Sequence, residues 1–385
     1  MHIAGFVTDT GNNVSNHYGN QDFWQAFLDY SGNVQWEKNY GGSLLDRCEV
    51  AKLTTDGGYI LGGTTVSNDK DVIGYLGKQG IWVVKTDDNG VIEWQKFLGL
   101  PPVVNWVYDI IQTADGGYLL GGVDSDGFKY VLIKLNASGI ILWTKKYGGA
   151  DLDYVKRIKQ TKDGGYIVIG NIESKDGDIN HNYGNVDIWI LRLDTKGDIL
   201  WKKNYGGSNK EEGSDIIESV EGGFLFVGST SSDDHDVRGI HKGIFTNSDA
   251  WVVKIDDTGR IVWQKCLGGT LDDAAASVLQ LSDSSYVINA ASLSSDGDAS
   301  SNNGKSDFWV VRLSHIPLSI SSMPEMDQIM VAPNPANSGI NIYNIHPGVL
   351  NIRITNIAGQ IVYQFRSSNY ASNTLTINTE NYSTG

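Results

Sequence analysis

Apolar residues along the chain come in short runs, some alternating and some continuous, separated by Gly and Asp, and the same punctuation returns again and again. The clearest unit is DFWQAFLDYSGNVQW at 22–36. It returns as segments ending at Trp94 (IWVVKTDDNGVIEW), Trp143 (YVLIKLNASGIILW), Trp201 (DIWILRLDTKGDILW) and Trp263 (DAWVVKIDDTGRIVW). The first anchor is Trp24, Trp82, Val131, Trp189 or Trp251, and the second anchor is a Trp 12 residues later in every copy. A Gly stands four residues before the second anchor: Gly32, Gly90, Gly139, Gly197 and Gly259. β-branched and aromatic residues on either side predict two strands, and the Gly supplies the positive φ of a tight hairpin turn. A sixth first arm, DFWVVRL, stands at 307–313.

A second hairpin follows each of the first. Its turn reads Asp56-Gly57-Gly58, Asp115-Gly116-Gly117, Asp163-Gly164-Gly165, Glu221-Gly222-Gly223 and, in altered form, Asp283-Ser284-Ser285. An aromatic residue follows each turn: Tyr59, Tyr118, Tyr166, Phe224 and Tyr286. One unit is thus four strands, a to d, with short a–b and c–d turns and a long polar b–c loop. First-arm anchors are 58, 49, 58, 62 and 58 residues apart. Four short strands at this period predict an all-β fold, a β-propeller of six four-stranded antiparallel blades over 1–313. The d-strand residues Trp36, Trp94, Trp143, Trp201 and Trp263 are expected to pack between blades, so that Trp201→Ala costs ~3–5 kcal/mol.

The ends of the pattern carry their own expectations. Met1 lies 23 residues before Trp24, the interval that also separates Tyr59 from Trp82 and Tyr166 from Trp189. The chain therefore starts in a b strand and ends the repeat in a c strand. This reads as a propeller lacking an upstream d strand, an a strand and a signal peptide. Residues 314–328, with HIPLSISSMPEMDQ, read as a linker. Alternating apolar residues after it, such as Ile340 and Ile342 or Ile352 and Ile354, predict a small β-sandwich over 329–385.

That last stretch resembles the C-terminal sorting domain of type IX secretion cargo. The resemblance rests on Pro333-Asn334-Pro335-Ala336, the strand Ile340 to Tyr343, and Asn356-Ile357-Ala358-Gly359-Gln360-Ile361-Val362. Tyr382-Ser383-Thr384-Gly385 matches the run before the family's last strand, so the domain reads as truncated. The resemblance implies the type IX machinery as a partner and delivery to the outer cell surface or the medium. The repeats resemble propeller units found upstream of such domains, for which no single activity is implied.

Composition narrows the function classes. Lys and Arg total 30 against 45 acids, a net charge of −15, which argues against nucleic acid and anionic membranes as partners. No apolar run approaches the ~18–20 residues of a membrane span. Cys48 and Cys266 stand in separate repeats, with no metal-type spacing. The seven His recur at no repeat position, and no nucleophile or phosphate-loop motif is present. No residue is singled out as catalytic. The chain reads as a binding module for a glycan or protein on the long-loop face, with a secreted glycoside hydrolase or lyase as the alternative.

Two sets of oxygen donors fall on that face. The first is an acid ten residues before each Asp-Gly-Gly position: Asp46, Asp153, Glu211 and Asp273, with Asn105 in blade three. These residues either ring the channel mouth, as ligands for a cation or sugar hydroxyls, or accept backbone N–H bonds in their own loops. The second is the b–c loop. Asp176, Asp178, Asn180 and Asp187 in blade four match Asp296, Asp298, Ser300 and Asp307 in blade six. Alternate oxygens closed by a later acid suit Ca²⁺ and resemble an EF-hand loop in spacing, but His181 stands where that loop requires Gly. Asp-Gly-Asp turn chemistry explains the same pattern without a metal.

Overall fold

The computed structural model describes residues 1–8, 14, 17–77, 79–98, 104–124, 128–243, 247–314, 330–332, 339–343, 348–355, 361–370 and 374–378. The chain divides into two compact units, Met1–His315 and Ile316–Gly385. Among the described residues every regular element is a strand.

The first unit is a series of six antiparallel sheets whose strands follow one another in chain order. Sheet one holds His2–Val7, Asp22–Leu28 and Val34–Tyr40, corresponding to strands b, c and d. Sheet two is Asp46–Leu53, Tyr59–Thr65, Gly80–Thr86 and Ile92–Leu98. Sheet three is Val104–Gln112, Tyr118–Asp124, Tyr130–Leu135 and Ile141–Tyr147. Sheet four is Asp153–Gln160, Tyr166–Ile172, Asp187–Leu193 and Ile199–Tyr205. Sheet five is Glu211–Glu218, Phe224–Thr230, Asp249–Ile255 and Ile261–Leu267. Sheet six holds Asp273–Gln280, Tyr286–Ser292 and Asp307–Leu313, strands a, b and c. Consecutive sheets approach one another most closely along their a strands, so a is innermost and d outermost, as in a propeller.

Burial follows from that packing. Strands b and c of sheets two to four are buried at every position, because both faces lie against a neighbouring blade. This is why they read as continuous apolar runs rather than as alternation. Each hydrophobic cluster joins two adjacent sheets. Trp82, for instance, packs with Phe23 and Tyr40 of sheet one, and Trp251 with Tyr205 of sheet four. The outward face of sheet six exposes Phe308 and Val310.

The Trp expectation needs one correction. The fully buried rings are the c-strand anchors Trp82, Trp189 and Trp251. The d-strand rings are half-buried, and Trp263 is 37% exposed. Each lies edge-on or tilted against the b-strand aromatic of the next blade, as Trp94 does against Tyr118 and Trp201 against Phe224. The outermost strand carries them, and its outer flank faces solvent. The Tyr four residues after the d-strand Trp makes a second bond between blades. The hydroxyls of Tyr40, Tyr147 and Tyr205 donate to the turn carbonyls of Gly90, Gly197 and Gly259 at 2.6, 2.6 and 2.7 Å.

The Asp-Gly-Gly turns are ionic as well as conformational. Asp56 Oδ1 accepts from the Gly58 amide at 3.1 Å, while Lys85 Nζ lies 2.9 Å from Asp56 Oδ2. Lys134 pairs with Asp115 in the same way, and Arg192 with Asp163. These c-strand cations are buried, three residues after the first anchor, and their aliphatic stems fill the blade while the charged ends reach the turn. In sheet six Ser284 takes the first Gly's place and still holds φ 64°, a left-handed conformation.

A pH prediction follows. Hydrogen bonds from Thr54 and Lys85 hold the Asp56 carboxyl down at about 2; Asp115 also lies at about 2, where bonds from Thr113 and Lys134 outweigh the opposing effect of burial. Depressed carboxyls contribute stability that is complete above the ordinary value of 3.8 and is lost as pH falls through 2. Thermal melts should therefore drop between those limits. Asp56→Asn should show a smaller drop than wild type; an identical acid profile would remove Asp56 from the account.

The second unit contains a three-stranded sheet, Met330–Ala332, Gly339–Tyr343 and Thr374–Asn378, and a hairpin of Gly348–Thr355 with Ile361–Tyr370. Pro333 to Ala336, Asn356 to Gln360 and Tyr382 to Gly385 lie outside the described residues.

Candidate binding surface

The acids that precede the Asp-Gly-Gly turns begin the a strands, as their spacing requires, and they point inward. Asp46, Asp153 and Glu211 are wholly buried and Asp273 nearly so. Each accepts the amide of the glycine four residues before it. Gly42, Gly149, Gly207 and Gly269 donate to them at 2.7, 2.8, 2.7 and 2.8 Å. The end of strand b supplies further donors, namely Ser67 to Asp46, Thr230 to Glu211 and Ser294 to Asp273, each at 2.8 Å. Asp153 instead accepts the Glu173 and Ser174 amides at 3.2 Å. Each carboxylate thus closes its own d–a loop onto the end of strand b. Asn105 lies in the strand Val104–Gln112.

The b–c loop acids also reach back to the d–a loop. Asp176 accepts the Ala150 amide and Asp296 the Thr270 amide, both at 2.8 Å. Asp178 Oδ2 is 3.1 Å from the Gly148 nitrogen, and Asp298 Oδ2 is 3.4 Å from that of Gly268. Asn180 and Ser300 are exposed. Asp187 accepts the Tyr183 amide at 2.8 Å and Asp307 the Asn303 amide at 2.5 Å, each four residues back. The repeated spacing therefore brings these oxygens to separate amides. Among the described residues no three His, Cys, Asp or Glu side chains converge on one metal-sized point.

Another set of side chains, which does not recur from blade to blade, occupies the innermost strands. Just inside the long-loop face, sheet three presents Trp106, 41% exposed, and Tyr108, 36% exposed. Tyr154 on the next a strand lies with its ring centroid 5.9 Å from that of Tyr108. Its hydroxyl receives the Asn171 amide at 3.1 Å and sits 3.4 Å from Glu212 Oε1. Lys156 stands over the Tyr154 ring at 5.1 Å. On the other flank Arg47 pairs with Glu49 at 2.8 Å. Burial lifts the Glu49 carboxyl above its usual range, and Arg47 opposes that. On sheet six the equivalent a-strand positions carry only the small side chains of Ala274 and Ala276, both exposed.

One step deeper, alternating charges cross the blades. Arg157 lies 3.8 Å from both Asp109 and Asp215, Lys52 lies 3.6 Å from Asp109, and Lys159 lies 3.7 Å from Asp215. Asp109 also accepts the Ile158 amide of the next blade at 2.9 Å. Burial pushes its carboxyl up, against the pull of Lys52. These groups tie a strands together beneath the aromatic rings. The mouth itself is an aromatic platform with the Glu49 and Glu212 carboxyl groups at its edge. Such a surface offers flat apolar faces and hydrogen-bond partners together.

Comparison with known proteins bears on the tail. Residues 330–385 match the secretion system C-terminal sorting domain. The match is to the type IX family, and such a tail implies secretion or cell-surface export. Among curated proteins none matches the chain. Solved structures share blade-like sheets at low similarity. The hydrazine synthase of Kuenenia stuttgartiensis is 11% identical, with TM-score 0.46, over 70% of this chain and 72% of that one. The β-propeller domain of the Trilobed protease from Pyrococcus furiosus is 9% identical, with TM-score 0.42, over 89% and 85%. A GH43 β-1,3-galactosidase solved with galactodeoxynojirimycin is 12% identical, with TM-score 0.36, over 74% and 93%. At these values none of them carries an argument about activity or ligand. No helix among the described residues is long and apolar enough to cross a membrane.

Proposed function

We propose that this protein is an exported β-propeller binding module, and that it holds a neutral glycan at the axial mouth on the long-loop face. The observation that carries the reading is the exposure of Trp106 and Tyr108 on an innermost strand, beside Tyr154. Large aromatic rings are ordinarily buried in such a fold, and a partly exposed group of them marks a contact surface. Aromatic rings give area for the apolar face of a sugar ring, while Glu212 and Glu49 give partners for its hydroxyls. The net charge of −15 disfavours polyanionic ligands.

The test is a glycan array probed with the full chain, followed by a turnover assay on every hit. The expected result is binding to neutral saccharides with no cleavage. Turnover abolished by Glu49→Gln or Glu212→Gln would replace the binding module with a carbohydrate-active enzyme. An array without hits among neutral glycans would remove the carbohydrate from the reading.

A further inference from the structure

Strand c of one blade begins beside strand a of the next, and at three of these junctions two buried carboxylates meet. The pairs are Asp22 with Asp46, Asp187 with Glu211, and Asp249 with Asp273; five of the six side chains are 0% exposed and Asp273 is 1% exposed. A backbone bond holds each junction: the amides of Asp46, Glu211 and Asp273 donate to the carbonyls of Gln21, Val186 and Ser248 at 2.7, 2.8 and 2.7 Å. At two of the junctions the carboxylates border one point. A methyl group built on Gly206 would lie 2.5 Å from Asp187 Oδ1 and 2.6 Å from Glu211 Oε2. On Gly41 it would lie 2.7 Å from both Asp22 Oδ1 and Asp46 Oδ2.

Oxygens at these points have no hydrogen-bond partner. Asp22 Oδ1, Asp187 Oδ1, Asp249 Oδ1 and Asp273 Oδ1 are all buried and unbonded. At the first junction Gln21 Oε1 and both amide atoms of Asn39 are unbonded as well. A buried carboxylate facing another, with an oxygen unsatisfied, is strongly unfavourable unless something neutralises it.

The other two junctions solve the same problem by sequence. Between sheets three and four, Lys129 occupies the position of Asp22, Asp187 and Asp249, next to the strand that begins at Asp153, and its ammonium lies 3.4 Å from the Gly148 carbonyl. Between sheets two and three the corresponding residues are Gly80 and Asn105, both uncharged. Those two junctions are electrically neutral without help. The three acid pairs have no Lys or Arg at these positions; at the third, a His241 ring nitrogen lies 2.7 Å from Asp249 Oδ2.

We propose that each acid-pair junction binds one divalent cation of the calcium class, bridging strand c of one blade to strand a of the next. A divalent ion balances the charge of two ionised carboxylates. The donors are hard oxygens: two carboxylates and, at the place where Lys129 meets Gly148, the equivalent carbonyls of Gly41, Gly206 and Gly268. An ion held this way binds only the assembled blades, so it stabilises the propeller by linkage. The site uses different atoms from the b–c loop oxygens of Asp176 and Asp296, and it is independent of what binds at the axial mouth.

The test is equilibrium dialysis of the full chain against millimolar Ca²⁺, with bound metal counted per chain. Wild type should hold three ions. Asp187→Asn should hold two, and Asp176→Asn, on the b–c loop, should still hold three. Lys129→Asp, which creates a fourth acid pair with Asp153, should hold four. Near-UV circular dichroism checks folding of each variant. If Asp187→Asn fails to fold, the gain in Lys129→Asp decides alone. Fewer than one bound ion in wild type, an unchanged count in a folded Asp187→Asn, or no fourth ion in Lys129→Asp would overturn the proposal, leaving the pairs to share a proton or hold water.

Discussion

Deletion of residues 330–385 should leave the first unit folded and stop it from reaching the cell surface. The two compact units make this possible, since among the described residues the six sheets take no strand from the tail. The sorting-domain match lies wholly within the deleted stretch. The expected effect is close to complete. In a host with a type IX system, fractionation should find the deleted protein in the periplasm with an intact near-UV spectrum, and the full chain outside the outer membrane. Equal delivery of both forms would show that 330–385 is not the export signal. A deleted form that is degraded would be uninformative by immunoblot alone. The circular dichroism of the purified protein settles folding separately.

Trp189→Ala should cost ~3–5 kcal/mol, because the ring is fully enclosed and the blades relax only partly around the space it leaves. Trp189 packs against Tyr130 of the preceding sheet at 4.9 Å between centroids, within a cluster that joins sheets three and four. Trp201→Ala, on the outer strand, should cost roughly 1–2 kcal/mol, since part of that ring is already in water. Its indole N–H also gives up a bond to the Asp257 carbonyl at 2.9 Å, a group that solvent can reach. Urea titration of the two variants measures the difference. Equal losses would mean that the inner and outer rings are enclosed alike.

The contrast between those two rings shows what the repeat made legible. Strand positions, turn glycines and blade count could be read because they recur at fixed spacing, and a 12-residue interval admits only one hairpin register. The same spacing placed the invariant Trp on the d strand but could not show that its ring is only half-buried there, where constancy serves the next blade's Tyr or Phe rather than deep burial. The position of the acids Asp46, Asp153, Glu211 and Asp273 was equally plain, but whether they faced the axis or their own loops depended on the glycine amides four residues before them. Lys85, Lys134 and Arg192 recur three residues after the first anchor, a signal present in the sequence and explained only once their charged ends are seen at the Asp-Gly-Gly turns. Trp106, Tyr108 and Tyr154 had no such signal. They do not recur, and only the placement of the a strand at the axis gives their exposure meaning.

That difference in placement supplies the most direct test of the central claim. Trp106 and Trp263 are almost equally exposed, at 41% and 37%, but one lies on an innermost strand and the other on an outermost strand. The measurement is isothermal titration of Trp106→Ala and Trp263→Ala with the saccharide that binds the wild-type chain most tightly on the array. Binding should weaken at least about tenfold in Trp106→Ala, a loss of ~1.4 kcal/mol, and keep its wild-type affinity in Trp263→Ala. Wild-type affinity in Trp106→Ala, or an equal loss in both, would contradict the claim.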